Sequence, residues 1–320
     1  MKSIRFLLYF LCFYASKLMA QQTLPAYQDL TPGKVYQQML TMKEGTTVAE
    51  LPVRIIKGIG EGPVFTIVAG IHGYEYAPIV AVQQLMVEIR PEKLKGTLVI
   101  VPVANMAGFY GRSIFYNPQD GKNLNRVFPG NPEGTISERL AHLITSDIIS
   151  RSNVFLDIHA GDGNEDLLDF VCYYDNKQTP EQTSLARRLT KCAGFKYNVV
   201  YPFSLQASQP AEYAFKQATR QGITALSIEA GKLGGVEFKS VDATKKAVYN
   251  MLAEMKMYEP LAGIKNTENQ IWLNGQDYIK SPGKGIFYSV LKSGDKIIAG
   301  QKLGFITDVF GTKLAEITAP

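Results

Sequence analysis

His72 and Glu75 stand three positions apart in Ile71-His72-Gly73-Tyr74-Glu75-Tyr76-Ala77-Pro78. Imidazole nitrogens and carboxylate oxygens both bind zinc, and catalytic zinc sites take three protein ligands and keep one position for water. His-x-x-Glu alone arises often by chance, so its meaning depends on a third ligand and a base elsewhere. Two other histidines are available, His142 and His159. His142 falls off the apolar stripe of its helix, as a surface histidine does. His159 ends the run Val154-Phe155-Leu156-Asp157-Ile158 and precedes Ala160-Gly161. That position suits a third ligand to one zinc ion; the alternative is a core histidine bonded to a backbone carbonyl. Asp157 shares a strand face with His159 and is placed either to orient a ligand imidazole or to serve as a buried, hydrogen-bonded acid.

Hydrolysis at such a centre also needs a base, because zinc lowers the pKa of its water to about 7 and a nearby carboxylate takes the proton. Glu229 closes Ile223-Thr224-Ala225-Leu226-Ser227-Ile228 and is followed by Ala230-Gly231. It reads equally as that base or as a strand-end acid paired with Lys232. A loop then supplies Asp120-Gly121-Lys122-Asn123-Leu124-Asn125-Arg126-Val127-Phe128-Pro129-Gly130. Asn125 and Arg126 put a planar bidentate cation beside an amide donor, which suits a substrate carboxylate. Arg112, earlier in the loop, is a candidate to steady an oxyanion, against the alternative of a solvated surface arginine.

These residues must be positioned by alternating strands and helices. Val64–Ile71 is an apolar run leading into the His72 turn, and Pro78 starts a helix whose apolar face is Ile79, Val80, Val82, Leu85, Met86 and Ile89. Thr97–Val103 reads as a strand buried on both sides. Residues 105–132 read as a long irregular loop, of a length that is usually either functional or disordered. A helix is expected over Ser137–Ile149 with Ser137 as its cap. Strands over Val154–His159, Leu168–Tyr174, Tyr197–Tyr201 and Ile223–Glu229 alternate with helices near Gln182–Cys192, Ala211–Gln221 and Asp242–Met257. This predicts an α/β fold: a mainly parallel mixed sheet flanked by helices. In such sheets ligands bind at the carboxyl edge of the strands, where both strand-end histidines lie. Residues 21–50 are expected to be a surface lead-in with at most one short strand, before a strand at Pro52–Lys57. From residue 268 the pattern changes to short β runs between Gly turns, at Tyr278–Lys280, Gly285–Leu291, Lys296–Ile298, Leu303–Thr307 and Lys313–Thr318. The domains expected are thus a hydrolase unit over 21–260 and a small all-β unit over 268–320. The chain stops in what reads as mid-sheet, so a continuation past Pro320 is expected.

The chain has 320 residues, 46% hydrophobic and 20% charged, with no internal repeat or low-complexity segment. Lys2 and Arg5 precede the apolar run Phe6–Ala15, and Leu18-Met19-Ala20 offers a cleavage point, so residues 1–20 read as a signal peptide and the protein as secreted or periplasmic. The run is too short to span a bilayer comfortably, so no stable membrane insertion is expected after cleavage. Cleavage removes Lys2, Arg5 and Lys17 and no acid, and the formal charge falls from +5 to +2. No Lys/Arg cluster interleaves with aromatics, which argues against nucleic acid as a partner. Cys172 and Cys192 fit either a disulfide or two buried free thiols.

Gly70-Ile71-His72-Gly73-Tyr74-Glu75-Tyr76, the 120–130 run, Leu156-Asp157-Ile158-His159 and Leu226-Ser227-Ile228-Glu229-Ala230-Gly231 occur in order. From about residue 50 onward the chain resembles the succinylglutamate desuccinylase/aspartoacylase family of the zinc carboxypeptidase-like group. Gly294-Asp295 and Gly300-Gln301-Lys302-Leu303-Gly304 are similar to that family's small terminal domain. Tyr74 and Asn123 stand where Asp is frequent, and neither is a ligand position. The resemblance implies His72, Glu75 and His159 as zinc ligands, Glu229 as general base, Asn125 and Arg126 as the carboxylate grip, and Arg112 at the oxyanion. It implies a deacylase that cleaves the amide of an N-acyl amino acid or a similar small carboxylate-bearing substrate. An exported zinc carboxypeptidase acting on short peptides needs nearly the same residues. A noncatalytic binding protein is the reading from another class.

Overall fold

The computed structural model describes residues 23–206, 208–260 and 269–320. The leader expected over residues 1–20 lies outside them. The chain opens with β1 (Lys34–Glu44) and β2 (Thr47–Lys57), an antiparallel hairpin paired from Lys34↔Lys57 to Glu44↔Thr47. The surface lead-in expected here is therefore wrong. Leu40, Met42, Ala49, Leu51, Val53 and Ile55 alternate along the two strands and face the core, a period-two pattern masked by polar and proline residues on the other face. Next come β3 (Gly60–Ala69), α1 (Tyr76–Glu88), β4 (Lys95–Val101) and α2 (Met106–Gly111), the last lying inside the segment expected to be irregular.

Then follow α3 (Ile136–Leu143), β5 (Val154–His159), β6 (Phe170–Asp175), α4 (Pro180–Ala193), β7 (Tyr197–Pro202), α5 (Ala214–Arg220), β8 (Thr224–Glu229), α6 (Phe238–Glu254) and β9 (Ile271–Leu273). Ser137 does not cap α3. Thr135 occupies that position and donates its amide to Glu138 Oε2 at 2.8 Å, while Ser137 bonds Asp120 through both its amide and its hydroxyl.

The nine strands form one sheet in the order β1-β2-β4-β3-β5-β8-β6-β7-β9. β4, β3, β5 and β8 run parallel, so their carboxyl ends share one edge; β6 pairs antiparallel with β8, and β7 and β9 follow β6. β9, just past residue 268, is the last strand of the large sheet. Separate from it, β10 (Ile286–Ser289), β11 (Lys302–Thr307) and β12 (Lys313–Thr318) make an antiparallel meander. The runs at Tyr278–Lys280 and Lys296–Ile298 are not strands.

The central strands bury apolar residues on both faces. Val154, Leu156 and Ile158 of β5 and Leu226 and Ile228 of β8 face the layer that holds α1, α4 and α6. Phe155 and Ala225 face the layer holding α3 and α5. Alternation then puts Asp157 and His159 on the Phe155 side and Ser227 and Glu229 on the Ala225 side. A one-residue slip would turn Leu226 and Ile228 away from their layer. The apolar residues thus hold the register Asp157↔Ser227 and His159↔Glu229.

Candidate metal centre

β3 delivers the chain to a turn at Gly70–Glu75, and Glu75 is the residue immediately before α1. This brings His72 and Glu75 to the edge where β5 ends in His159. His72 Nδ1 lies 2.7 Å from Glu75 Oε1, and His159 Nδ1 lies 3.0 Å from Glu75 Oε2. One ligand atom from each of the three residues falls within 4.8 Å of the others. Glu75 and His159 are buried and His72 is half-buried.

The outer nitrogens decide what the inner ones can do. His72 Nε2 sits 3.1 Å from Asn123 Oδ1, and His159 Nε2 sits 3.1 Å from Asp157 Oδ1. Asp157 is fully buried and neither of its oxygens has another partner. With protons on both Nε2 atoms, both Nδ1 atoms present lone pairs to a carboxylate, an arrangement that a divalent cation satisfies. Two imidazoles and one carboxylate are a ligand set for zinc with an open position. The residues fit the metal.

The electrostatics follow from the same packing. Burial pushes the Glu75 carboxyl up, but His159 and His72 outweigh it and hold the group at about 2. Burial pulls His159 down, and Asp157 and Glu75 reverse the effect, leaving it well above its ordinary value. Glu229 is raised to about 8, chiefly by burial and then, against the pull of His159, by Glu75, Glu165 and Asp157. A carboxyl raised in this way beside His72, Glu75 and His159 is a candidate acid–base group. Lys232 is not its partner, since that amine bonds Asp166 at 2.8 Å. Gly231, in a left-handed conformation at φ 109, turns the chain directly after Glu229 and donates its amide to Asp169 Oδ1 at 2.9 Å.

Close backbone approach also shapes the ligand turn. A Cβ on Gly73 would come within 2.1 Å of Phe109 N and 2.2 Å of Gly108 C, both backbone atoms of α2. Gly73→Ala is expected to destabilise the protein by about 1–3 kcal/mol or more, because neither element can yield cheaply. It should also weaken zinc binding by shifting His72 and Glu75. Thermal unfolding and zinc titration of the variant check this, and wild-type values in both would refute it.

The Asn125–Arg126 pair divides its work. Asn125 is 6% exposed; its Oδ1 accepts from Ala214 N at 3.0 Å and its Nδ2 lies 3.5 Å from His159 Nε2. It ties the loop to the start of α5 and packs behind a ligand imidazole. Arg126 is exposed, sits 4.6 Å over the Tyr213 ring and donates to Asn125 O at 2.7 Å. It lines a cleft of roughly 510 Å³ with Phe115, Tyr116, Lys122, Asn123 and Glu165. Arg112 is exposed at the left-handed C-terminal cap of α2 and is not among the residues lining the cleft. His142 is half-buried on α3, and Cys172 and Cys192 are free thiols. Asn123, Tyr213, Asp162 and Glu165 also belong to the neighbourhood. The two acids were findable as carboxylates just beyond a strand-end histidine; nothing local marked Tyr213.

The chain is similar to known proteins over most of its length. The family model of the succinylglutamate desuccinylase/aspartoacylase catalytic domain matches residues 61–255. An N-alpha-acetyl-L-2,4-diaminobutyric acid deacetylase from Halomonas elongata is 31% identical over 271 residues, covering 83% of this chain and 77% of that protein. Among solved structures, a succinylglutamate desuccinylase/aspartoacylase from Rhodobacter sphaeroides superposes with a TM-score of 0.77 at 24% identity, covering 91% of this chain and 88% of the other. The product-bound ectoine utilization protein EutE (DoeB) from Ruegeria pomeroyi gives 0.78 at 22% identity, covering 91% and 89%. The two structures speak to the fold, while the matched model covers the ligand turn, the strand ending in His159 and the strand ending in Glu229: the chain belongs to the succinylglutamate desuccinylase/aspartoacylase family.

Proposed function

We propose that the protein is a zinc-dependent amide hydrolase that removes the acyl group from an N-acyl amino acid with a free carboxylate. The observation that carries this reading is the convergence of His72 Nδ1, Glu75 and His159 Nδ1 at one sheet edge, with Glu229 paired in register beside His159. The relative from Halomonas elongata, by its name a deacetylase of an acetylated amino acid, supports the substrate class.

His72, Glu75 and His159 would hold the zinc. When bound, zinc supplies Lewis acidity, polarising the scissile carbonyl and the attacking water. Asp157 and Asn123 keep both ligand imidazoles in one tautomer by occupying their Nε2 positions. The Glu229 carboxylate takes a proton from the attacking water and returns it to the leaving nitrogen, a role matched to a carboxyl whose pKa is raised toward neutrality. Arg126 receives the substrate carboxylate, its guanidinium braced by Tyr213 and Asn125 O. The Phe115 and Tyr116 rings beside it line the same cleft.

Metal analysis coupled to an amide panel tests the proposal. One zinc per chain and hydrolysis of N-acyl amino acids are expected, with kcat/KM falling about tenfold or more when the carboxylate is converted to the amide, as for loss of a charge-assisted hydrogen bond. A zinc-loaded protein that cleaves no amide would overturn it, and one that prefers peptides with free carboxyl termini would be a carboxypeptidase.

A further inference from the structure

Where the Glu229 carboxylate stands depends on the turn that follows it, and one side chain holding that turn has no part in the reaction as described. β8 ends at Glu229, and the chain turns through Ala230 and Gly231, both buried. On the β5 side the turn is pinned by backbone alone: Ala230 N donates to His159 O at 2.9 Å, and Gly161 N donates to Gly231 O at 3.0 Å. On the other side lies β6, which pairs antiparallel with β8 as far as Phe170↔Glu229. Past that rung a side chain takes over from the ladder. Oδ1 of Asp169, the residue just before β6, accepts from Gly231 N at 2.9 Å.

The same carboxylate is held from behind. The hydroxyl of Ser240, a fully buried residue in the first turn of α6, lies 3.2 Å from Asp169 Oδ1 and 3.0 Å from Oδ2 and donates to it. The start of a helix favours an anion, so α6 both orients the carboxylate and stabilises its charge. Gly231 needs such an anchor. It has no side chain to fix it and the widest backbone freedom of any residue. It also sits in a tight place, since a Cβ on it would come 2.9 Å from Ala77 Cβ and 3.3 Å from Ala160 Cβ. Ala77 is two residues past Glu75 and Ala160 directly follows His159, so the turn lies against both ligand-bearing segments. A buried N–H without an acceptor is costly, and a glycine turn that lost its acceptor would move to find another. Glu229, two residues upstream, would move with it.

We infer that Asp169 is a positioning residue: it locks the Ala230–Gly231 turn between β5 and α6 and so fixes the Glu229 carboxylate relative to the metal ligands. What it supplies to the reaction is an acceptor at one place rather than a charge. This rests on the reading of Glu229 as the base, and the two fail in different experiments.

The test is steady-state kinetics of zinc-loaded variants on the N-acyl amino acid of the amide panel that wild type hydrolyses fastest, with metal analysis of each. Asp169→Ala removes the acceptor, and kcat should fall about tenfold or more, the scale on which a small misplacement of a reacting group acts. KM and zinc content should change little. Asp169→Asn keeps an acceptor in place without the charge and should bring kcat back near wild type. Asp169→Glu keeps the charge beside α6 but moves the acceptor by one methylene, so its kcat should stay low; it also serves if the alanine variant does not fold. In the Glu229→Gln background, Asp169→Ala should lower the residual turnover no further, because a residue acting through Glu229 has nothing left to act on. Hydrogen exchange at the Gly231 amide reads the anchor without substrate: slow in wild type and Asp169→Asn, faster in Asp169→Ala. Wild-type kcat in Asp169→Ala or Asp169→Glu overturns the inference. So does a full loss in Asp169→Asn, a fall explained by lost zinc, additive losses in the double variant, or unchanged exchange at Gly231. An inactive Glu229→Gln beside an unaffected Asp169→Ala defeats this inference alone. Full turnover in Glu229→Gln, or a wild type that hydrolyses no member of the panel, defeats the underlying reading and this one with it.

Discussion

Glu229→Gln loses turnover by about two to four orders of magnitude, the usual contribution of a positioned general base, and keeps its zinc. The amide is isosteric and sits outside the ligand trio, so the expected signature is a fall in kcat at constant metal content. The same substitution changes how the metal-free protein responds to pH. The Glu229 carboxyl is raised to about 8 in the fold from an ordinary value of 4.5, with burial as the main cause. Between those values the unfolded chain has given up a proton that the folded protein still holds. Metal-free wild type therefore loses stability as pH rises from about 5 to 8, and the Gln variant lacks that part of the slope. Steady-state kinetics, metal analysis and urea unfolding at several pH values check the three parts. Near-wild-type kcat in the variant would remove Glu229 from the mechanism.

His159→Ala abolishes both zinc retention and activity. It deletes one of three donors and leaves Glu75 facing a single imidazole, while Asp157 becomes a buried carboxylate with no partner. Asp157→Asn is the graded comparison. Asparagine can still accept from His159 Nε2 but brings no charge, so zinc affinity should fall by about 10–100-fold, the range for an outer partner of a metal-bound histidine. Competition against a chromophoric chelator ranks wild type, the Asn variant and the Ala variant in that order. An Ala variant that holds zinc as tightly as wild type would mean that the metal sits elsewhere, and an unaffected Asn variant would leave Asp157 with a packing role only.

Much of this centre was legible because its signals are local. An apolar run followed by His-x-x-Glu and a proline-led helix marks a strand, a turn and a helix regardless of what packs around them. Histidine and glutamate at the ends of buried strands, followed by small residues, mark a sheet edge in the same way. Signals that depend on partners were less readable. The β1/β2 hairpin has period-two burial, but Lys, Gln, Thr and Pro on its outer face make it look like a loop. β9 is three residues long and is a strand only because β7 offers it an edge.

What the sequence determined by itself was the α/β alternation and the candidates for the site, His72, Glu75, His159 and Glu229, since each follows from residue type and position along one element. The tertiary structure decided which candidates meet. Its strand register put Glu229 beside His159 rather than beside Lys232. The packing of α5 turned Asn125 into a tie to Ala214 and left Arg126 to face the cleft, while the end of α2 carried Arg112 to an exposed cap outside it. The reason is physical: propensity and periodicity act over a few residues, whereas the reach of one side chain to another is set by strands and helices far apart in the chain.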